Sequence, residues 1–304
     1  MMSSPLFPTV PRENTGPKGW TWHRTRLAAV IGLALLVTGC AGGIPVLDRK
    51  GVADRIADAA GFREEIVRTR PFILAARHRL SARGHPLTVY IEGDGLAWLS
   101  RRRLSNDPTP TDPIALRLAA RDPGPNVVHL ARPCQYVDDP ACHPRYWSSH
   151  RFSEDVVSAV DQAIDHFRKR TGAAEVHLVG YSGGGAVAAL IAARRKDVAS
   201  LRTVAGNLDH EALNRHFGVS PLTGSLNPAD YAAALSHVPQ HHFVGREDQI
   251  VPAFVAGGFA GKAGDTRCIR ISAIDGVSHE TGWPERWRKL LSLPVACRLP
   301  RRPR

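Results

Sequence analysis

Two kinds of hydrophobic pattern alternate along this chain. Short runs of apolar and β-branched residues predict buried strands, and longer segments with apolar residues three or four positions apart predict helices. Strands that alternate with helices in this way are typical of an α/β fold with a doubly wound, mainly parallel sheet. The runs that predict strands are residues 87–91, 127–131, 175–179, 201–205, 242–245 and 268–271.

The longer segments predict the helices that cover this sheet. A helix is expected near residues 114–121, another from Ser153 to a stop at Gly172, and an alanine-rich one over 184–195. Residues 206–240 form a long connection between two strands, so a small cap or lid is expected there.

The ends of the chain predict further segments. Residues 40–84 are expected to form a tether followed by an N-terminal helical segment, because the apolar positions of residues 72–80 are mixed with arginines. The main domain is expected over 85–297, and residues 298–304 form a basic tail.

Composition narrows the class of protein. With 304 residues, 43% of them apolar and 22% charged, the chain can bury one core of ordinary size. The formal net charge is +12, but the arginines are scattered, and no basic stripe with interleaved aromatic residues appears. Nucleic acid is therefore not an expected partner, whereas anionic lipid head groups are compatible with the charge.

The first 39 residues have the features of a signal peptide. Arg24 and Arg26 precede an apolar run over 27–37, which is too short for a membrane-spanning helix. The sequence Val-Thr-Gly that leads to Cys40 resembles the lipobox of bacterial lipoproteins. The resemblance implies cleavage before Cys40 and lipidation of its sulfur. The expected location is the cell envelope, anchored to the outer membrane and facing the periplasm; a simple secretory signal or a buried apolar helix is the alternative.

The remaining cysteines favour an oxidising compartment. Apart from Cys40, the chain has four, which suits two disulfide bonds. Pairing between sequence neighbours joins Cys134 to Cys142 and Cys268 to Cys297, although three pairings are possible. A zinc site built from Cys134, Cys142 and His143 is the alternative, but the usual CxxC spacing is missing.

The pattern with most chemical meaning is Gly180-Tyr181-Ser182-Gly183-Gly184, between a predicted strand and a predicted helix. A serine on such a turn is driven towards positive φ, and the turn closes only where Gly180 and Gly184 carry no side chain. Its hydroxyl is then presented above the sheet as a nucleophile. The alternative interpretation of this sequence is a glycine-rich turn between a strand and a helix, without catalytic function.

From residue 85 to residue 292 the chain resembles the α/β-hydrolase superfamily. The resemblance rests on the Ser182 motif, on Gly245-Arg-Glu-Asp248-Gln-Ile-Val-Pro252 and on Gly276-Val-Ser-His279 after the last predicted strand. It implies that Ser182 is the nucleophile, Asp248 the acid and His279 the base. Asp209, which follows the strand at 201–205, is the rival acid.

The same resemblance implies an oxyanion hole. Its donors would be the N–H of Gly183 and, in Glu92-Gly93-Asp94-Gly95, the N–H of Asp94. The family usually has a His-Gly pair in this loop. Carboxylates at 92 and 94 would repel an oxyanion, so both side chains are expected to point away from it.

The expected function is that of a membrane-anchored serine hydrolase. A hydroxyl needs an imidazole to accept its proton, and the imidazole needs a carboxylate to fix its tautomer. The substrate expected is a small-molecule or lipid ester, with no metal and no organic cofactor. Acyl transfer or peptide cleavage by the same residues is the first alternative, and a non-catalytic envelope lipoprotein is the second.

Overall fold

The structure, a computed structural model, describes residues 48–298. The predicted signal peptide, Cys40, the start of the tether and most of the basic tail lie outside these residues. Within them, no helix is both long enough and apolar enough to cross a bilayer.

Seven helices and ten strands make up the described part of the chain. The helices are α1 (Arg49–Ala59), α2 (Ile114–Ala119), α3 (Glu154–Thr171), α4 (Gly183–Ala192), α5 (His210–Phe217), α6 (Phe254–Lys262) and α7 (Trp283–Leu291). The strands are β1 (Arg63–Arg68), β2 (Ile73–Leu80), β3 (Leu87–Ile91), β4 (Trp98–Ser100), β5 (Arg103–Leu104), β6 (Asn126–Leu130), β7 (Val176–Tyr181), β8 (Val198–Val204), β9 (Gln240–Gly245) and β10 (Ile269–Ile274).

Eight strands form one sheet in the order β1-β2-β6-β3-β7-β8-β9-β10. From β6 to β10 all neighbours are parallel, and only β2 runs antiparallel to its neighbours β1 and β6. The predicted fold class, a mainly parallel sheet with helices on both faces, is confirmed. Because the parallel strands end at one edge, the loops that follow them meet there.

Residues 63–80 differ from the prediction. They form β1 and β2 instead of a helical segment, and they extend the sheet, so the domain starts near residue 48 and not at 85. The sequence does not show the alternation of apolar and polar residues that predicts a strand, because a charged residue, Arg77, is fully buried in β2. Its guanidinium donates to Asp54 at 2.7 Å and lies 4.6 Å from the ring centroid of Tyr136.

The core occupies both faces of the sheet. On one face α3, α4 and α6 contribute Phe167, Leu190 and Phe259, all fully buried. On the other face α1, α2 and α7 cover a second cluster that includes Trp287, whose indole N–H donates to the hydroxyl of Tyr90 at 3.0 Å. Both faces are therefore covered, as a parallel sheet requires.

The segment over residues 206–240 contains α5 and two short 3-10 turns, Pro228–Tyr231 and Ala233–Leu235. The first of these turns packs against α4 and α6. Its role as a cap over the site stays a prediction.

Two disulfide bonds are present, and they join Cys134 to Cys142 and Cys268 to Cys297. The predicted pairing between sequence neighbours is therefore confirmed. Because the sulfurs of Cys134 and Cys142 are bonded to each other, neither is available as a zinc thiolate, and the zinc alternative is wrong for this pair.

His242 on β9 gives the fold an expected weakness in acid. The residue is fully buried, its Nδ1 lies 2.8 Å from the hydroxyl of Thr203, and burial lowers its pKa to about 3 from an ordinary 6.5. The unfolded chain therefore binds a proton at this position below about pH 6.5, whereas the folded chain does not until far lower pH. The stability that the neutral ring contributes is complete above that pH and decreases as the pH falls towards the folded value.

We expect this residue alone to lower the free energy of unfolding by about 2 kcal/mol between pH 7 and pH 5. Urea unfolding at the two pH values measures the loss. In a His242→Gln variant the free energy of unfolding should fall by about 2 kcal/mol less over the same pH interval than in the wild type. His85→Gln, at an exposed position, should show the wild-type pH dependence. An unchanged pH dependence in His242→Gln would contradict the assignment.

Candidate active site

Ser182 lies at the junction of β7 and α4. Its φ is 50° and its ψ is −120°, a strained conformation for a residue with a side chain. A Cβ on Gly180 would overlap the carbonyl of Gly184, and one on Gly184 would overlap the carbonyl of Ile91. The two glycines therefore allow helix α4 to start directly against the strand ends.

The end of β8 fixes the backbone of Ser182. Its N–H donates to the carbonyl of Val204 at 2.9 Å, and its own carbonyl accepts from the N–H groups of Gly185 and Asn207, both at 3.0 Å. The N–H and the carbonyl of Ser182 are thereby both hydrogen-bonded, and its side chain lies at the edge of the sheet where the parallel strands end. Asn207, which the sequence did not single out, belongs to this support.

The structure brings three of the predicted residues into hydrogen-bond contact. The Nε2 atom of His279 lies 3.0 Å from Oγ of Ser182, and Nδ1 lies 2.9 Å from Oδ2 of Asp248. A carboxylate can only accept, so Nδ1 carries the proton and Nε2 is free to accept one from the serine. The residues follow β7, β10 and β9, whose ends meet at one edge.

The histidine and the carboxylate are both held by further bonds. The second oxygen of Asp248 accepts from the N–H groups of Ile250 and Val251, each at 2.8 Å. The carbonyl of His279 accepts from the hydroxyl of Tyr181 at 3.2 Å and from the indole N–H of Trp283 at 3.0 Å. Asp248 is 5% exposed and His279 is 8% exposed. Water competes little for these bonds in such a site.

Asp209, the rival acid, does not contact His279. It is the N-cap of α5, where Oδ1 accepts from the N–H of Ala212 and from the amide of Asn227, each at 3.0 Å. Its other oxygen lies 3.1 Å from Nζ of Lys262. These bonds account for both oxygens, so the residue has a structural role in the loop after β8.

The two residues predicted to supply the oxyanion donors are close together, because the Asp94 side chain lies against Gly183. Gly183 is the first residue of α4, and within residues 48–298 neither its N–H nor that of Asp94 donates to a protein acceptor. The Asp94 carboxylate lies so close to Gly183 that a Cβ there would overlap Oδ1. Two N–H groups with no acceptor, one at a helix start, can receive a negative oxygen.

The expected direction of the two carboxylates is correct for one and wrong for the other. Glu92 points away, because it is 1% exposed and accepts from the N–H groups at the start of α2 and from His129 at 3.0 Å. Asp94 instead lies against Gly183. It can do so because Arg132 and Arg151 each place a guanidinium nitrogen 3.2 Å from its oxygens.

The loop after β6 supports this arrangement, and sequence analysis missed it. The Gln135 side chain donates to the carbonyl of Gly93 and accepts from the N–H of Arg132, both at 3.0 Å. The disulfide between Cys134 and Cys142 closes the same loop. These residues form no recognisable sequence motif. The one feature of the sequence that indicates a place near the site is their position directly after a strand of the parallel set.

Comparison with known proteins identifies the fold. No protein-family model matches the chain, and no curated protein does. Among solved structures, the Pyrococcus furiosus esterase Pf2001 is 12% identical with a TM-score of 0.56 and aligns over 77% of this chain and 92% of its own. Est1E from Butyrivibrio proteoclasticus is 13% identical with a TM-score of 0.52, over 75% and 97%. The chain has the fold of the α/β hydrolases.

One further similar structure has a different activity in its name. The acylaminoacyl peptidase of Pyrococcus horikoshii is 10% identical, with a TM-score of 0.53, and aligns over 74% of this chain and 38% of its own. At such identities the similarity concerns the fold. What this chain does must be argued from its own side chains.

Proposed function

We propose that the protein is a serine hydrolase that cleaves a carboxylic ester through an acyl-enzyme. One observation carries the proposal: the hydrogen-bonded series from Ser182 through His279 to Asp248, at 3.0 Å and 2.9 Å. Each of the three has its backbone or its second polar atom held by other groups, so the series is organised before any substrate binds.

The reaction follows from these contacts. As Oγ of Ser182 attacks the carbonyl carbon, its proton passes to Nε2 of His279, and the carbonyl oxygen becomes an oxyanion facing the N–H groups of Gly183 and Asp94. Collapse of this intermediate expels the alcohol, which takes the proton from His279. A water molecule, deprotonated by the same nitrogen, then attacks the acyl-enzyme; the bond to Oγ of Ser182 breaks, Oγ takes the proton back from His279, and the acid is released.

The charges around Asp94 suit an oxyanion nearby. One carboxylate lies between two guanidinium groups, so the group of three carries a net charge of +1. We propose that Arg132 and Arg151 fix the Asp94 backbone and offset its negative charge, in place of the usual His-Gly loop. Arg132 is suited to this because it is 4% exposed.

Arg132→Gln should therefore lower kcat by about tenfold to a hundredfold with little change in KM, because it disturbs an interaction made in the transition state. Steady-state kinetics on a soluble short-chain ester measures both constants. Arg194→Gln, which removes an exposed ion pair with Glu154, is the matched control and should leave kcat as it is. A rise in KM at constant kcat would instead assign Arg132 to ground-state binding.

The preference for esters over amides or acyl transfer needs a direct test. One similar structure is named as an esterase and another as a peptidase, so acyl transfer or peptide cleavage stays the alternative. A panel of p-nitrophenyl esters of graded length, lipids and peptides, each run beside Ser182→Ala, separates these activities. Turnover of peptides alone would overturn the ester proposal.

Attachment to the cell envelope through Cys40 also stays a prediction. It is supported by the apolar run before that cysteine and by two disulfide bonds in the described residues. Cell fractionation of a Cys40→Ala variant beside the wild type, with a high-salt wash that removes protein held only by charge, tests it, since only the anchored form should stay with the membranes after the wash.

A further inference from the structure

A short hairpin stands next to the oxyanion loop. Strands β4 and β5 form it, and its sequence over residues 98–104 is Trp-Leu-Ser-Arg-Arg-Arg-Leu. Its base is fixed, because Ala97 packs with Trp147 and the disulfide-bonded Cys134, and the indole N–H of Trp147 donates to the carbonyl of Ser105 at 3.0 Å. The hairpin thus projects from the edge of the sheet that carries Ser182.

Two neighbouring apolar side chains of this hairpin, both on β4, are open to solvent. Successive side chains of a strand point to opposite faces, yet Trp98 is 44% exposed and its neighbour Leu99 is 46% exposed. A large aromatic and a large aliphatic side chain are therefore both uncovered on β4, whereas Leu104 on β5 packs partly against the cluster of Ala97 and Trp147.

The hairpin is also strongly basic. Arg101, Arg102 and Arg103 are all exposed, and within residues 48–298 none of them has an ion-pair partner. The sequence from residue 95 to residue 106 contains no acidic residue, so its net charge is +3. By contrast, many other arginines of the domain are paired, such as Arg195 with three aspartates.

Exposed apolar side chains gather at the same end of the sheet. Ile250 follows Asp248 by two residues and is 54% exposed, and Phe254 at the start of α6 is 42% exposed. The ring of His216, next to the exposed Phe217, lies 4.9 Å from that of Phe254. Of the eight large apolar side chains that are exposed in the described part, six follow the carboxyl ends of parallel strands: Trp98, Leu99, Phe217, Val219, Ile250 and Phe254.

We infer that the hairpin docks the protein on an anionic lipid surface, with the Ser182 edge turned towards the bilayer. A tryptophan at head-group depth, aliphatic side chains that enter the acyl region and arginines that pair with lipid phosphates are the combination such a surface binds. The occupant is a bilayer and not a nucleic acid, because Leu99, Ile250 and Phe254 offer apolar contact that phosphates and bases do not need. That the docked surface also holds the ester substrate rests on the proposed function.

Vesicle binding tests the inference with the full chain carrying Cys40→Ala, so that the predicted anchor is absent from every sample. The probe is co-sedimentation with vesicles of phosphatidylglycerol and phosphatidylcholine, beside vesicles of phosphatidylcholine alone. Replacing Arg101, Arg102 and Arg103 together by serine should weaken binding to the anionic vesicles by about 100-fold. The double substitution Trp98→Ser with Leu99→Ser should weaken binding to both kinds of vesicle.

A matched control has the same net charge. It replaces Arg63, Arg83 and Arg288, which are exposed and lie towards the opposite edge of the sheet, by serine, and it should bind as the parent does. Thermal unfolding checks that each variant is folded. Equal loss in the control and the hairpin variant would reduce the effect to net charge and overturn the inference.

Two more readouts keep the alternatives apart. If the hairpin variant keeps vesicle binding but loses retention of single-stranded DNA, the surface is one for nucleic acid and the inference is wrong. Hydrolysis of a soluble short-chain ester should be unchanged in the hairpin variants. If no chain hydrolyses that ester but vesicle binding still depends on the hairpin, the docking stands and the proposed hydrolase function fails.

Discussion

Ser182→Ala should lower kcat/KM for a short-chain ester by about 10⁴-fold to 10⁶-fold. In the proposed mechanism the hydroxyl of Ser182 forms the acyl bond, and the methyl group that replaces it in the variant cannot attack the ester. The residual rate should be the small acceleration that the oxyanion donors and substrate binding provide without a nucleophile.

The comparison needs a serine that is chemically similar and distant from the site. Ser292 is suitable, because its hydroxyl donates to a backbone carbonyl at the end of α7, at 2.9 Å. Ser292→Ala should retain wild-type kcat/KM. Wild-type activity in Ser182→Ala would assign the hydrolysis to another residue or to a contaminant.

Asp248→Asn should lower kcat by about 10⁴-fold with little change in fold stability. The asparagine can keep the bonds from the N–H groups of Ile250 and Val251 through its oxygen, but its amide nitrogen then faces Nδ1 of His279. A donor at that position favours the tautomer with the proton on Nε2, and this nitrogen can no longer accept the proton of Ser182.

Asp209→Asn is the matched control, since sequence reasoning named it as the rival acid. Its contacts are with Ala212, Asn227 and Lys262, so the substitution should change thermal stability more than kcat. Stopped-flow or steady-state kinetics on both variants decides between the two. A large loss of kcat in Asp209→Asn, with Asp248→Asn near wild type, would reverse the assignment.

Much of the fold was predictable because its signals are local. Most strands of the parallel set contain a short apolar run with a turn after it, and the order of helices and strands then restricts the topology. The same locality explains the failure at residues 63–80. Arg77 and His78 are buried on β2 by partners that are distant in sequence, so a pattern that should alternate appears irregular.

Some residues of the candidate site were likewise predictable from local sequence, and others were not. Ser182, Asp248 and His279 each follow a strand within a recognisable run of residues, and the structure brings their side chains into contact. Arg132 and Arg151 belong to no such run, and their meeting at Asp94 depends on how two loops pack. The expected direction of the Asp94 side chain was wrong because the two cations that allow it to lie near Gly183 were not foreseen.

The central claim is that Ser182 is an activated nucleophile. Labelling with a fluorophosphonate probe, followed by mass spectrometry of the peptides, tests it most directly, because the probe bonds to an activated serine and marks the position. We expect one adduct, on Ser182, that is absent from Ser182→Ala and strongly reduced in His279→Ala. Equal labelling of wild type and Ser182→Ala, or an adduct on another residue, would contradict it.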